Sequence, residues 1–454
     1  LDRFISSYLE KRTAGVPMAV ISRAAGKLNG TLPFAAAVFT CHDAFNMTNV
    51  CSFCFRQFHP CKIEYPNLIA RHDFGIIFVG EARNYRQNPM ITRRELLQSS
   101  AAMLGMAAAP ACFAKPEAPR KTAMYWQAMG DSAVSCELCP HQCILQPGAT
   151  GICRARENVK GTLVNDAYAN PCAVHVDPIE KKPVFHVLPG SKSFSLAIAG
   201  CNLRCLNCQN YTISQQFPKD TETTYLPPEK VVEEAKRQGC TSISYTYSEP
   251  IVWYEYVLET CKLARQAGLK NIWVTAGYIN EAPLKELAPF MDAANINLKS
   301  FKNETYLKLN SAKLQPVMDT ITNALKFGIW VEVTNLVVPT WTDDFAMIRS
   351  MCTWHKQNLG AEVPLHFLRF FPLYKLENLY PTPTDALRRA QKIAQEEGLK
   401  YVYVGNVAEI DSSTYCPSCK KPVVVRDGYS IKKVAIKDGK CAYCGTVIKG
   451  IWTA

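Results

Sequence analysis

From Phe194 to Val404 the chain alternates strand-like and helix-like stretches, and this alternation restricts its fold more than any other feature. Phe194, Leu196 and Ile198 alternate with smaller residues, as a strand does. "PPEKVVEEAKRQG" opens on Pro227 and Pro228, carries acidic residues early and stops at Gly239, the punctuation of a helix. "TSISYTY" follows as a strand, 251–268 as a helix, "NIWVT" as a strand, "NEAPLKELAPF" as a short helix and "AANINL" as another strand. The series continues with a helix over 314–327, the strand "WVEVTNLVV", a helix over 345–357, the strand "LHFLRF", a helix over 384–397 and the strand "YVYV". Such alternation predicts a parallel sheet with helical crossovers. With this many units an α/β fold of the partial (β/α)6 TIM-like barrel type is expected over 191–410, in preference to a doubly wound sheet. No G-x-G-x-x-G follows any of the strands, which speaks against a dinucleotide fold.

Cysteine usage sets the chemistry. Twenty cysteines are too many for an ordinary cytosolic protein, and 454 residues are too many to depend on disulfides. They also cluster, which points to metal thiolate sites. In "IAGCNLRCLNCQNYTIS" three stand at gaps of three and two: Cys201, Cys205 and Cys208. A disulfide would use two and strand the third. Structural zinc closes at four ligands, usually from two separated pairs. A cubane iron–sulfur cluster normally takes four thiolates, so three from one loop leave one iron open to substrate or cofactor. The triplet directly follows the first core strand, and barrels of this type carry their chemistry at the C-terminal strand ends.

C-x3-C-x2-C in that position resembles the signature of radical S-adenosylmethionine (SAM) enzymes. The resemblance implies a 4Fe-4S cluster on Cys201, Cys205 and Cys208, with SAM chelated at the open iron. Reductive cleavage then gives a 5′-deoxyadenosyl radical that abstracts hydrogen, here from a substrate expected to be macromolecular. "YTYSEP" stands where the family has a Gly-Gly-Glu-Pro-like motif, which implies Ser248, Glu249 and Pro250 as cofactor contacts; by itself Ser-Glu-Pro is a strand end and a turn. "VTAG" and "NLK" end later strands, which adds Thr275 and Lys299, the latter toward the methionine carboxylate. His366 and Arg369 on "LHFLRF" are candidates for the mouth, with a packed histidine as the plainer account. Asn207 departs from the pattern, since an aromatic residue often precedes the third cysteine. "CELCPHQC…GICRARENVKG", "EKKPVFHVLPG", "GCNLRCLNCQNYTISQ" and "FPLYKL" together are similar to the radical enzyme of the AmmeMemoRadiSam system, related to pyruvate formate-lyase activating enzymes. That similarity covers about 125–452. It implies a reductant such as flavodoxin or ferredoxin, and association with AMMECR-domain and Memo-like proteins. A glycyl-radical-enzyme activase is the alternative within this class. A non-catalytic metal-thiolate scaffold is the alternative outside it.

Two further cysteine sets flank the core. Cys416, Cys419, Cys441 and Cys444 form paired C-x2-C knuckles in 411–454, a zinc-ribbon-like or rubredoxin-like pattern with zinc preferred over iron. Cys136, Cys139, Cys143 and Cys153 lie in a small Cys-rich N-terminal lobe, 115–190, and are less regular. They are read as a zinc site, a second cluster or packed thiols.

The net charge of +12 does not by itself indicate nucleic acid. Residues 1–120 carry 14 Lys+Arg against 8 Asp+Glu, residues 414–454 carry 8 against 2, and the centre balances at 29 each. The basic C-terminal module can serve a docking role, so a nucleic-acid partner is not excluded, though a solvated face is the plainer reading. No apolar run is long enough to span a membrane. "MITRRELLQSSAAMLGMAAAPACFA", 90–114, has the order of a twin-arginine export signal. That reading makes 1–89, which lacks sustained periodicity, an expected non-native or disordered extension; its Cys41, Cys51, Cys54 and Cys61 are irregularly spaced. Export conflicts with the expected need for SAM and a low-potential reductant, which favours cytoplasmic chemistry.

Overall fold

The computed structural model describes residues 120–453; the readings of 1–89 and of 90–114 fall outside the described residues. At the centre is an eight-stranded mixed sheet. Its strands are β1 (Ala173–Pro178), β2 (Lys192–Ala197), β3 (Ser242–Tyr245), β4 (Lys270–Thr275), β5 (Ala293–Asn297), β6 (Trp330–Val337), β7 (Leu365–Arg369) and β8 (Val402–Gly405). Neighbours follow chain order from β1 to β8. Every pair is parallel except β1 with β2, where Val174 faces Leu196 and Val176 faces Phe194 in antiparallel register.

The crossovers carry α1 (Pro228–Arg237), α2 (Tyr254–Gln266), α3 (Glu281–Leu287), α4 (Leu314–Lys326), α5 (Phe345–Asn358) and α6 (Thr384–Glu396). Six strand–helix units therefore run from β2 to α6, and β8 adds a seventh parallel strand. The sheet is α/β in class and mixed rather than purely parallel. Strand β1 lies in 115–190, a stretch in which the sequence reading assigned no strand. It is an edge strand whose Val174 and Val176 are both exposed, so its valines carry no core-facing signal.

Local chemistry accounts for the elements. β3 is buried at all four positions, as a parallel strand covered on both faces must be. α1 buries Val231, Val232 and Ala235, ends on Lys236 and Arg237, and is terminated by Gly239 at φ +68°. α5 starts at Asp344, whose carboxylate accepts the N–H groups of Ala346 and Met347 at 2.9 and 3.3 Å.

Two small three-stranded sheets precede the core and carry the first cysteine set. One joins Lys121–Thr122, Thr162–Asn165 and Arg156–Val159; the other joins Trp126–Ala128, Val134–Cys136 and Ile144–Leu145. Arg156, fully buried, donates to the Glu255 carboxylate of α2 and ties this lobe to the core. The C-terminal module, with strands Thr414–Tyr415, Pro422–Asp427 and Ser430–Val434, packs Cys416, Val423, Cys441 and Ile448 against Phe185, Tyr401 and Tyr403. Arg426 stacks over the Phe185 ring at 4.3 Å and donates to the Phe185 carbonyl at 2.6 Å. The C-terminal ends of β2 to β8 open on one cavity of about 530 Å³.

Candidate active site

Cys201, Cys205 and Cys208 all line that cavity, on the loop that leaves β2. Gly200 turns the chain into the loop at φ +103°, and a Cβ there would meet the Cys153 carbonyl at 2.6 Å. Only glycine fits this approach. The loop is fastened along its length. Arg204 N–H donates to the Asn310 carbonyl at 3.0 Å, Leu206 N–H to the Leu309 carbonyl at 2.9 Å, and Asn202 Nδ2 to the Tyr278 carbonyl at 2.8 Å.

Each sulfur also has a polar neighbour. Leu203 N–H donates to Cys201 Sγ at 3.3 Å and Asn310 Nδ2 to Cys205 Sγ at 3.2 Å, while the Ser214 hydroxyl lies 3.1 Å from Cys208 Sγ. Donors of this kind orient thiolate ligands and set the potential of a cluster they hold. Burial, then the nearby Glu249 and Cys205, push the Cys201 thiol well above its ordinary value. Burial also raises Cys208.

Glu249, Thr275 and Lys299 line the same cavity. Glu249 is buried and its carboxylate is fully engaged. Oε1 accepts the Thr275 hydroxyl at 2.6 Å and Ile251 N–H at 3.2 Å, and Oε2 accepts Ala276 N–H at 2.8 Å. Burial still leaves its acid strength weakened, with Lys299 among the groups that oppose the shift. Ser248 lines the cavity too, and its hydroxyl donates to the Ile198 carbonyl, which ties β3 to β2. Pro250 is not among the walls; it begins the helical turn Pro250–Trp253. His366 lines the cavity with Nε2 2.6 Å from Glu332, whereas Arg369 stands outside the walls and donates to the Thr382 carbonyl.

Several functional candidates were not singled out from sequence. Lys182 is buried in the cavity wall, 2.5 Å from Asp177, which also accepts the Tyr247 hydroxyl. Burial pulls Lys182 down to about 8 against the opposing pull of Asp177. Glu332, in the middle of β6, accepts the N–H groups of Phe185 and His186 as well as facing His366. Asn310 supports Cys205 from a π-helical turn, Tyr306–Asn310, that has no simple sequence signal. A glutamate inside an apolar strand and two lysines after a proline-bounded turn were the available hints.

The cavity suits a polar, iron-bearing cofactor. Its walls supply three thiols, and four buried atoms of wall residues have no hydrogen-bond partner: Glu180 Oε2, Asn207 Oδ1, Asn295 Oδ1 and Thr334 Oγ1. Buried polar atoms normally find a partner in protein, ordered water, an ion or a ligand.

The C-terminal knuckles converge. Cys416, Cys419, Cys441 and Cys444 place their sulfurs within 4.8 Å of one another, with Cys416–Cys444 at 3.6 Å and Cys419–Cys441 at 3.8 Å. A tetrahedral ion with ~2.3 Å bonds separates its sulfurs by ~4 Å. Cys136, Cys139, Cys143 and Cys153 instead surround a small chamber of about 20 Å³ in the N-terminal lobe.

The Radical SAM superfamily matches residues 196–351. An uncharacterized protein of Methanocaldococcus jannaschii is 44% identical over 331 residues, which is 72% of this chain and 98% of that protein. A GTP 3′,8-cyclase of Thermodesulfovibrio yellowstonii is 27% identical over 38% of this chain and 54% of its own length. A pyruvate formate-lyase-activating enzyme of Clostridium pasteurianum is 22% identical over 43% of this chain and 87% of its own length.

Proposed function

The chain belongs to the radical SAM superfamily, and on that premise we propose that Cys201, Cys205 and Cys208 hold a 4Fe-4S cluster with SAM beside Glu249, Thr275 and Lys299. Membership of the superfamily implies SAM cleavage and a radical mechanism that needs a reductant; bound cluster and SAM together supply a 5′-deoxyadenosyl radical for hydrogen abstraction. One observation carries the reading: three thiols at the end of β2 share a 530 Å³ cavity with unpartnered polar walls. The chain's own groups do the rest. Asn310, Ser214 and Leu203 N–H support the sulfurs. Thr275 and Ala276 N–H fix the Glu249 carboxylate as a rigid acceptor for a cationic group. The consecutive strand order suits a sheet curled into a partial barrel around this cavity.

The substrate we propose is macromolecular. Tyr429, at the tip of a hairpin in the basic C-terminal module, lines the same cavity and is half exposed, so the module stands beside the mouth. Zinc is the ion we propose for its four cysteines, because their sulfurs have single-ion spacing. A flavodoxin- or ferredoxin-class protein is the proposed reductant. AMMECR-domain and Memo-like proteins are proposed partners, testable by co-purification. Among the described residues no helix is long and apolar enough to cross a membrane. We place the chemistry in the cytoplasm, where SAM is made; a mature chain cut near Ala114 and found outside it would overturn that.

The test is anaerobic reconstitution with iron and sulfide, followed by measurement of 5′-deoxyadenosine. Wild type and the Cys240→Ala, Cys261→Ala and Cys352→Ala variants are expected to produce it, and Cys205→Ala to produce none while keeping its circular dichroism. Wild-type turnover by Cys205→Ala would overturn the reading. The similarity to a pyruvate formate-lyase-activating enzyme favours one narrower reading, activation of a glycyl-radical enzyme. A glycine-centred EPR signal in a co-incubated target would establish it.

A further inference from the structure

We infer that Cys136, Cys139, Cys143 and Cys153 hold a second, fully thiolate-ligated iron–sulfur cluster directly behind the Cys201 loop. The cluster itself goes beyond the radical reading and does not depend on it; its role as an electron port rests on that reading. All four cysteines line one small chamber with Leu138, Ile152, Arg156 and Asn202. The comparison that decides its occupant lies in the same chain. At the C-terminal knuckles four sulfurs fall within 4.8 Å of one another, the spacing of a single ion; among the described residues no other set of three or more candidate ligands is that tight.

The N-terminal four stand around a chamber of about 20 Å³ instead. A water needs ~10–15 Å³ measured this way. Four sulfurs ~2.3 Å from one zinc ion leave no such space between them. A polynuclear core, which carries its own bridging sulfides between iron and thiolate, holds its four thiolates farther apart than a single ion does, in keeping with sulfurs that do not close to the 4.8 Å of the knuckles. Four ligands also close a cubane completely, unlike the three at Cys201, Cys205 and Cys208.

The charge environment agrees. An iron–sulfur core on four thiolates is an anion, and Arg156, 1% exposed and paired through Nη2 with Glu255, turns Nη1 toward the thiols at 3.9 Å from Cys136 Sγ. Its Nε–H, in the chamber wall, has no hydrogen-bond partner and is free to donate.

The two cysteine sets are in direct backbone contact. Cys201 N–H donates to the Cys153 carbonyl at 3.2 Å, the Arg204 guanidinium donates to the Ile152 carbonyl, and His141 Nε2 lies 2.8 Å from the Asn202 carbonyl. Such proximity makes the N-terminal cluster an electron port. A reduced ferredoxin- or flavodoxin-class donor loses one electron to it, and the port passes that electron to the cluster at Cys201, with no bond made or broken.

The experiment counts acid-labile sulfide, because a rubredoxin-like iron at the C-terminal knuckles would bring none. After anaerobic reconstitution with iron and sulfide, wild type is expected to hold about eight sulfides per chain and the Cys201/Cys205/Cys208→Ala variant about four. Adding Cys139→Ala and Cys143→Ala to that variant is expected to remove the rest. A folded Cys201/Cys205/Cys208→Ala protein without sulfide, or with zinc bound to the N-terminal set, would overturn the inference. If that variant does not fold, Cys139→Ala/Cys143→Ala in the otherwise intact chain serves: about four sulfides are expected, and an undiminished count sinks the idea. The port is read on the same protein. Cleavage of SAM driven by reduced flavodoxin should fall at least tenfold while dithionite-driven cleavage stays within a few fold; equal loss on both would remove the port. Failure of the radical reading looks different: no 5′-deoxyadenosine from wild type, whatever its sulfide count.

Discussion

The carboxylate of Glu249, at the end of β3, accepts the hydroxyl of Thr275, at the end of β4, across 2.6 Å. Both groups are buried, so neither finds water as a substitute partner. Thr275→Val keeps the shape and removes the donor, which leaves a buried carboxylate under-served at a cost of ~1–3 kcal/mol. Urea unfolding should report that loss, and SAM cleavage should fall with it. Thr275→Ser should restore both.

Gly200 predicts a steric failure. A Cβ added at φ +103° meets the Cys153 carbonyl at 2.6 Å, so Gly200→Ala must displace either the Cys201 loop or the N-terminal lobe. Left-handed strain alone costs ~1–3 kcal/mol. The expected result is a lower melting temperature together with reduced iron loading, read by metal analysis. Gly239→Ala, with the same sign of φ and open space around it, should cost stability without touching iron content.

Metal removal should act locally. Binding energy at a four-cysteine knuckle is folding energy, and Cys416 and Cys441 are themselves core residues of the C-terminal module. A zinc chelator, or Cys441→Ala, should expose the 411–453 segment to protease while the central sheet keeps its far-ultraviolet dichroism. Proteolysis followed by mass spectrometry checks this; cleavage spread evenly over the chain would contradict it.

His355 predicts the acid response. Burial pulls it from the usual 6.5 down to about 4, with Nε2 held by the Val363 carbonyl at 2.9 Å. Between those values the unfolded chain binds a proton that the folded chain does not. Its contribution to stability is therefore complete above pH 6.5 and is lost as pH falls toward 4, at up to ~1.4 kcal/mol per pH unit. Urea midpoints at pH 7 and pH 5 should converge in His355→Gln relative to wild type. An unchanged difference would show that other groups govern the acid limb.

Much of the core was legible because its signals are local. Pro228 and Gly239 bracket α1, and the β-rich stretches from Phe194 to Val404 fall where β2 to β8 lie. That the cysteine triplet faces one cavity was legible for the same reason, since all three residues sit within one loop. What escaped depends on neighbours far away in sequence. Strand β1 exists because Val174 and Val176 find β2, not because they form an apolar face. Asn310 meets Cys205 across 105 residues, and Glu332 collects donors from Phe185 and His186 that no spacing announces. Lys182 is one of two adjacent lysines with no local signal to tell them apart; only the fold closes Asp177 and Tyr247 around it. Of the cofactor contacts read by resemblance, Pro250 lies off the cavity wall because it must start the turn into α2.

The backbone bonds from Arg204 and Leu206 to the turn at Leu309 and Asn310 have one more implication. They grip the loop by its peptide groups, independently of the thiols it presents. The loop is thus a mould set by its surroundings and not by its casting. If the loop carries iron as proposed, the consequence is repairability: metal lost to oxidation would find the peptide frame of its site still in place once the sulfurs are returned to the thiol state.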